Sequence, residues 1–377
     1  MASANSWTLK TQLPVQFTVK TVDGLFDPNE PTLLAPGKPG EKIRRLVIVD
    51  ELVYSRHGEL IEQYFLKNNV NYKIIPIASG ETRKDMDSLS IVLKVMEDFN
   101  LLRQSEPVIA IGGGVLLDLV GFAASIYRRG VPYIKVPTTL VGFIDVSIAA
   151  KTGINHFGRR NRLGAYYPPM AVYLERLFLE TLDRKQFING LGEILKMALI
   201  KDRRLFELLE AHGQSLINEK FQDEKIAPEV IDRAIQTMLE ELEPNLWEKN
   251  LRRSVDFGHS FSPLIEMRTL PALLHGEAVT IDMLLSCIIS KNRKLLPKDE
   301  LGRIFKTMKT LELPTYHPMF AEAEALREAL SDTMVHRNGH QHLPMITRIG
   351  EFTFFEDVSG KEIEAAAVEL KKMNLVV

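Results

Sequence analysis

Residues 108–169 read VIAIGGGVLLDLVGFAASIYRRGVPYIKVPTTLVGFIDVSIAAKTGINHFGRRNRLGAYYPP, and the fold class follows from them. Val108 to Ile111 is a β-branched apolar run of the kind that forms a buried strand. Gly112, Gly113 and Gly114 follow, and then a helical apolar pattern through Ala123. Glycines between a strand and a helix let the backbone approach a bound group, and the helix N-terminus offers free N–H donors to phosphate. A second strand, Val131 to Val136, ends at Pro137, Thr138 and Thr139, which places two hydroxyls at a strand's carboxyl end. Beyond it Asp145, Lys151, Asn155, Arg159, Arg160, Asn161 and Arg162 crowd a span broken by Gly153, Gly158 and Gly164. A cationic, glycine-punctuated loop at that place predicts an anion site. A triple glycine alone specifies no ligand, and Arg159 to Arg162 alone could be a solvated turn.

The chain of 377 residues can bury two sizeable cores, and 45% hydrophobic with 25% charged residues is ordinary globular composition. A net charge of −2 gives no general attraction to nucleic acid or to an anionic membrane, so basic residues act locally. Cys287 is the single cysteine and lies in an apolar helical run, which points to packing and fits a reducing compartment. No apolar run approaches a membrane span, and no signal-peptide core is visible. The expectation is a cytoplasmic protein that binds neither nucleic acid nor membrane.

Val15 to Val19 alternates like a strand, and Pro28 to Pro39 reads as a loop. Leu46 to Val49 is a strand ending at Asp50, the place where dinucleotide folds hold a ribose hydroxyl. A helix over Leu60 to Asn68, a strand over Tyr72 to Pro76 and a loop over Ser79 to Lys84 come next. This alternation predicts an open, mostly parallel α/β sheet over residues 1–175. From Leu177 helical periodicity dominates, over Gly190–Ile200, Arg204–Leu209, Pro228–Leu242, Gly276–Ile289 and Ala321–Leu330. Residues 176–377 are therefore expected to form a mainly helical domain, with a late strand at Phe352–Phe355 and a last helix from Lys361.

Glu193 and Lys196 share a helix face. Glu193, His259 and His275, one from each of three helical runs, would make an open three-ligand zinc site. Such residues have no diagnostic spacing, and a histidine near a helix end is more often a hydrogen-bonded core group.

GGGVLLD, YRRG, VPTTL, KTGIN, RNRLGAYYPP, LGEILK, DFGHSFSP, LHGEAV and HRNGHQHLP, in this order, resemble the sugar phosphate cyclase superfamily, which includes dehydroquinate synthase. The likeness covers nearly all of the chain beyond about residue 45, and is strongest to the 2-epi-5-epi-valiolone synthase branch, which cyclises sedoheptulose 7-phosphate. It implies metal ligation by Glu193, His259 and His275, with Zn2+ or Co2+. It implies NAD contacts from Asp50, Glu81, Lys84, Gly113, Gly114, Asp118, Thr138, Thr139 and Arg160, and from Phe178, Leu179, Glu180, Thr181 and Asn189. Asp145, Lys151, Asn161, Lys196 and Arg129 would meet substrate and phosphate, Arg129 from across a homodimer, and Glu248 would accept a proton. The implied reaction is transient NAD-dependent oxidation, phosphate elimination, reduction and intramolecular aldol closure.

Departures from dehydroquinate synthase bear on the substrate. Met238 stands where that enzyme has a lysine, Asp256 where it has asparagine, and Pro263 where it has histidine. Methionine cannot pair with a carboxylate and Asp256 would repel one, so a neutral ketose phosphate is expected to fit better. Arg252 still matches a cation of dehydroquinate synthase. Other cyclases of the superfamily remain open alternatives. So do a glycerol dehydrogenase-like oxidoreductase, with a similar GGG loop and PTT segment, and a non-enzymatic NAD-binding subunit.

Overall fold

The computed structural model describes residues 6–36, 43–78 and 80–375. Residues 37–39 of the expected Pro28–Pro39 loop, and Ser79 of the Ser79–Lys84 loop, lie outside them.

Six strands form one fully parallel sheet: β1 (Thr18–Thr21), β2 (Arg44–Asp50), β3 (Asn71–Ile77), β4 (Val108–Gly112), β5 (Tyr133–Pro137) and, after an inserted hairpin, β8 (Ala171–Leu174). Their order is β1-β8-β5-β4-β2-β3. The chain leaves β2 toward β3 on one side and returns to β4 on the other, so a crevice opens between the carboxyl ends of β2 and β4. Strand alternation fills both faces. Leu46, Ile48, Val108 and Ala110 pack under α2 (Met86–Asp98) and α3 (Gly114–Ile126), while Val47, Val49, Ile109 and Ile111 pack against Ile61, Tyr64 and Phe65 of α1 (Glu51–Lys67). Burial on both faces explains why β2 and β4 read as unbroken apolar runs.

The glycine-punctuated segment after β5 is not a loop. It is an antiparallel hairpin of β6 (Lys151–His156) and β7 (Arg159–Tyr166) laid against α3. Gly153 and Gly164 face each other in its register, and a Cβ on either would meet backbone carbonyl oxygen within 2.7 Å. These glycines let two strands approach where the sequence reading took them as punctuation. Phe157 and Gly158, with φ of 52° and 69°, form its tight turn.

The remaining chain is helical: α4 (Leu177–Glu180), α5 (Arg184–Ile200), α6 (Arg203–Asn218), α7 (Ile226–Leu242), α8 (Ser262–Thr269), α9 (His275–Asn292), α10 (Lys298–Thr310), α11 (Ala323–His336) and α12 (Gly360–Leu375). One antiparallel pair, β9 (Leu343–Arg348) and β10 (Glu351–Phe355), interrupts it. The sequence reading anticipated β10 and a helical run near His259, which is α8, but neither β9 nor α10, and it began α1 nine residues late and β1 three residues early. Helices α5 and α9 are buried nearly all round and carry the core of this half. They approach closely because Gly192 faces Gly276, and a Cβ at Gly276 would sit 1.9 Å from the Asn189 carbonyl oxygen. That contact sets Glu193 of α5 beside His275, the first residue of α9.

Candidate active site

One cavity of about 1480 Å³ runs from the β2–β4 crevice to the N-terminus of α9. A single small-molecule site commonly takes ~300–1,000 Å³, so there is room for a dinucleotide and a substrate together. At the sheet end it is lined by Asp50, Gly113, Gly114, Thr138 and Thr139. The first turn of α3 begins at Gly113 with no side-chain cap, so its N–H groups face the cavity. A Cβ at Gly113 would come within 3.1 Å of the Thr139 methyl, a tight contact that glycine avoids. Asp50 caps α1 through Leu52 N and Val53 N. This glycine cradle fits a pyrophosphate, as NAD would require. Phe178, Thr181 and Asn189 line the same cavity, whereas Leu179 is sealed in the helical core and Glu180 does not line it.

Lys84 joins two predicted groups. Its Nζ donates to Asp118 Oδ2 at 2.6 Å and to Asn161 Oδ1 at 2.7 Å, which ties α3 to the hairpin. Glu81 accepts from Asn155 Nδ2 at 2.8 Å.

At the opposite end, ligand atoms of Glu193, His259 and His275 lie within 4.8 Å of one another. The sequence reading put all three on helices; His259 instead sits in the turn before α8, its Nδ1 donating to the Phe257 carbonyl at 3.2 Å. That bond leaves Nε2 as the ligating atom. Burial, with Lys196 nearby, pushes the His259 ring well below its ordinary range, toward the neutral ligand form. Neither Glu193 oxygen has a hydrogen-bond partner of good geometry, although Lys196 Nζ stands 2.5 Å from Oε2 and His275 Nε2 stands 3.4 Å from Oε1. Burial works against charge on Glu193, but Lys196 and the two imidazoles outweigh it and hold the carboxyl well below its usual range. A buried, ionised carboxylate facing two ring nitrogens, with the cavity on the remaining side, fits a four-coordinate divalent cation. His275 is disfavoured as a cation by burial and by Arg160, yet Glu266 and Glu193 raise it to about 9; a metal at Nε2 would displace that proton.

Between the two ends lies a charged cluster. Lys151 Nζ is 2.8 Å from Glu248 Oε1, Tyr166 OH donates to Glu248 Oε2 at 3.1 Å, and Arg253 also pairs with Glu248. Burial opposes ionisation of Glu248, but Lys151 and Arg253 prevail and lower its pKa, leaving a carboxylate able to take a proton. Asp256 is held by Arg253 Nη2 at 2.6 Å and Arg337 Nη2 at 3.3 Å. Lys196 remains charged because Glu193 and Asp145 outweigh its burial. Met238 and Pro263 line the cavity beside this cluster.

Several placements differ from expectation. Arg129, with φ of 65°, does not line the cavity within a single chain. Arg252 turns outward, its guanidinium 4.6 Å from the Phe354 ring, and leaves Arg253 as the cavity-lining cation. Arg160 reaches across to Glu266 Oε2 at 2.5 Å, on the metal side. The sequence reading missed Arg253, Arg337, Tyr166 and Glu266. Arg337 lies in HRNGHQHLP and Glu266 seven residues after His259, but no charge pattern along the chain foretells their pairing.

Sequence models of the 3-dehydroquinate synthase N-terminal and C-terminal domains match residues 74–189 and 190–335. This chain belongs to the 3-dehydroquinate synthase family. Among curated relatives, a 2-epi-5-epi-valiolone synthase of Actinoplanes sp. is 47% identical over 97% of this chain and 94% of its own. ValA, a 2-epi-5-epi-valiolone synthase from Streptomyces hygroscopicus subsp. jinggangensis solved with NAD+ and Zn2+ bound, is 45% identical, with a TM-score of 0.93 over 97% of this chain and 100% of its own. A 2-deoxy-scyllo-inosose synthase complexed with carbaglucose-6-phosphate, NAD+ and Co2+ shares the fold at 20% identity, with a TM-score of 0.78 over 93% of this chain and 96% of its own.

Proposed function

We propose that this enzyme is a sugar phosphate cyclase of the 2-epi-5-epi-valiolone synthase type, converting sedoheptulose 7-phosphate to 2-epi-5-epi-valiolone and phosphate. The observation that carries this reading is that one cavity joins the glycine cradle, His259 and His275 with the buried Glu193 directly behind them, and the Lys151–Glu248–Arg253–Asp256 cluster, with Met238 on its wall. Residues 1–175 serve as the NAD-binding half and residues 176–377 as the metal- and substrate-binding half. Bound there, NAD supplies a reversible hydride acceptor, and Zn2+ or Co2+ supplies a Lewis acid for a substrate oxygen.

The chain's own groups do the rest. Lys151 and Asn161 bind the phosphate that leaves, and Lys84 holds Asn161 in place. Lys196, charged and buried beside Glu193 and Asp145, balances negative charge that develops on a neighbouring substrate oxygen. Glu248, ionised, accepts the proton released as the phosphate departs. Asp256, oriented by Arg253 and Arg337, accepts hydrogen bonds from substrate hydroxyls. The working unit in this reading is a cytoplasmic homodimer whose Arg129 completes the phosphate site of the partner. No helix among the described residues is long and apolar enough to cross a membrane.

The test is incubation with sedoheptulose 7-phosphate, with phosphate release followed and the product's stereochemistry determined by NMR. A carbocycle of another configuration, or no phosphate, overturns the assignment.

A further inference from the structure

We infer that Glu266 is a positioning residue that holds the ring proton of His275 on Nδ1 and so leaves Nε2, the nitrogen facing the metal site, free to ligate, against the competing influence of Arg160. The inference rests on the reading of Glu193, His259 and His275 as metal ligands. Glu266 lies on α8, is only 2% exposed, and pairs with Arg160 and His275. Its Oε2 stands 3.0 Å from His275 Nδ1 and 2.5 Å from Arg160 Nη1, while Arg160 Nη1 stands 2.9 Å from the same Nδ1. Three atoms thus form a triangle in which only one proton arrangement satisfies all partners.

A guanidinium N–H can only donate and a carboxylate oxygen can only accept, whereas an imidazole nitrogen can do either. If Nδ1 accepted from Arg160, the ring proton would sit on Nε2, the atom that faces Glu193 Oε1 at 3.4 Å. Nε2 would then have no lone pair for a cation. If Nδ1 keeps its proton and donates it to Glu266, Nε2 is free to ligate, and Arg160 satisfies itself on the same carboxylate oxygen. The anion at Glu266 therefore decides between two states that Arg160 alone would decide the other way. Carboxylate partners of ligating histidines also raise ligand basicity, and losing one typically weakens metal binding roughly 10–100-fold. Arg160 Nε is buried without a hydrogen-bond partner and stands 3.8 Å from Glu81 Oε1, a longer ion pair than the 2.5 Å contact of Nη1 with Glu266, so Glu266 is the nearer anchor of the guanidinium.

The experiment is a Zn2+ titration of the full-length protein in competition with a chromophoric chelator, with folding checked by circular dichroism. Glu266→Gln is expected to weaken zinc binding roughly 10–100-fold. Adding Arg160→Met to Glu266→Gln removes the competing donor and is expected to recover most of that loss. The 15N spectrum of the zinc-loaded wild type, which needs no variant, should show His275 protonated at Nδ1 and metal-shifted at Nε2. A His275 metallated at Nδ1, unchanged zinc affinity in folded Glu266→Gln, or no recovery in the double variant overturns the inference while leaving the metal site standing. A wild type that binds zinc no better than His275→Ala overturns the metal-site reading and the inference with it.

Discussion

Arg253 Nη2 stands 2.6 Å from Asp256 Oδ1, and Arg337 approaches the same carboxylate from its other oxygen at 3.3 Å. The cavity wall at Asp256 is therefore a compensated pair. From sequence alone Asp256 reads as a charge that would repel a substrate carboxylate; with Lys151, Arg253 and Arg337 set against Glu248 and Asp256, three cations face two anions. Discrimination then falls mainly on Met238, which offers no cation where dehydroquinate synthase has a lysine.

A charge-assisted hydrogen bond is worth roughly 1.5–3 kcal/mol, which converts to about 10–150-fold in specificity. The ratio of kcat/KM for sedoheptulose 7-phosphate over the carboxylated heptulosonate phosphate should exceed about tenfold and should shrink in Met238→Lys. Equal values for both substrates in the wild type would show that this position does not select.

Lys135 should govern the segment that presents Asp145. It is fully buried on β5, and its Nζ donates to the Val146 carbonyl at 2.7 Å and the Ala149 carbonyl at 3.0 Å. Burial pulls its pKa down to about 8. Lys135→Met strands two carbonyls at ~1–3 kcal/mol each, and loosening Asp145 should lower kcat by roughly tenfold to a hundredfold. Thermal unfolding and steady-state kinetics read the two effects, and a variant with wild-type kcat would remove Lys135 from this role.

Asp282 should leave a signature in the pH dependence of stability. It accepts from Phe261 N at 2.6 Å and Ser262 N at 2.8 Å, which braces the turn after His259. Burial raises its pKa to about 6 despite those bonds. A raised carboxyl pKa adds stability below the unfolded value of ~3.9 and loses it as pH climbs through about 6. For a rise of about two units the loss is on the order of 3 kcal/mol. Urea unfolding of wild type and Asp282→Asn between pH 4 and 7 should diverge by that slope; parallel curves would contradict it.

Two glycines should respond oppositely to alanine. At Gly276 a Cβ meets the Asn189 carbonyl oxygen at 1.9 Å, so Gly276→Ala should cost ~1–3 kcal/mol or more and displace His275 with loss of zinc. At Gly302, on α10, a Cβ meets nothing within 4 Å, so Gly302→Ala should stabilise by ~0.5–1 kcal/mol. Urea midpoints and zinc content decide both.

The parallel sheet was legible in the sequence because Leu46–Val49 of β2 and Val108–Ile111 of β4 are buried on both faces and carry no polar interruption. The α3 N-terminus was legible for a similar local reason, three glycines between a strand and a helix. The β6–β7 hairpin was not, since the same glycines that permit strands to touch also look like loop residues when their partner is unknown. Pairings among Asp256, Arg253 and Arg337, or among Glu266, Arg160 and His275, join residues up to 115 positions apart. Periodicity carries no record of such contacts. The metal triad was named by likeness to a family, and its geometry came only when Gly192 and Gly276 brought α5 against α9.

In the proposed reaction NAD is recycled within each turnover, and the stoichiometry of NADH to phosphate reads that recycling. Enzyme loaded with NAD and Zn2+ and given excess sedoheptulose 7-phosphate should release phosphate over many turnovers while absorbance at the reduced-nicotinamide band stays below one equivalent per active site. NADH accumulating in step with substrate consumed, without phosphate release, would contradict the cyclase account and favour a dehydrogenase.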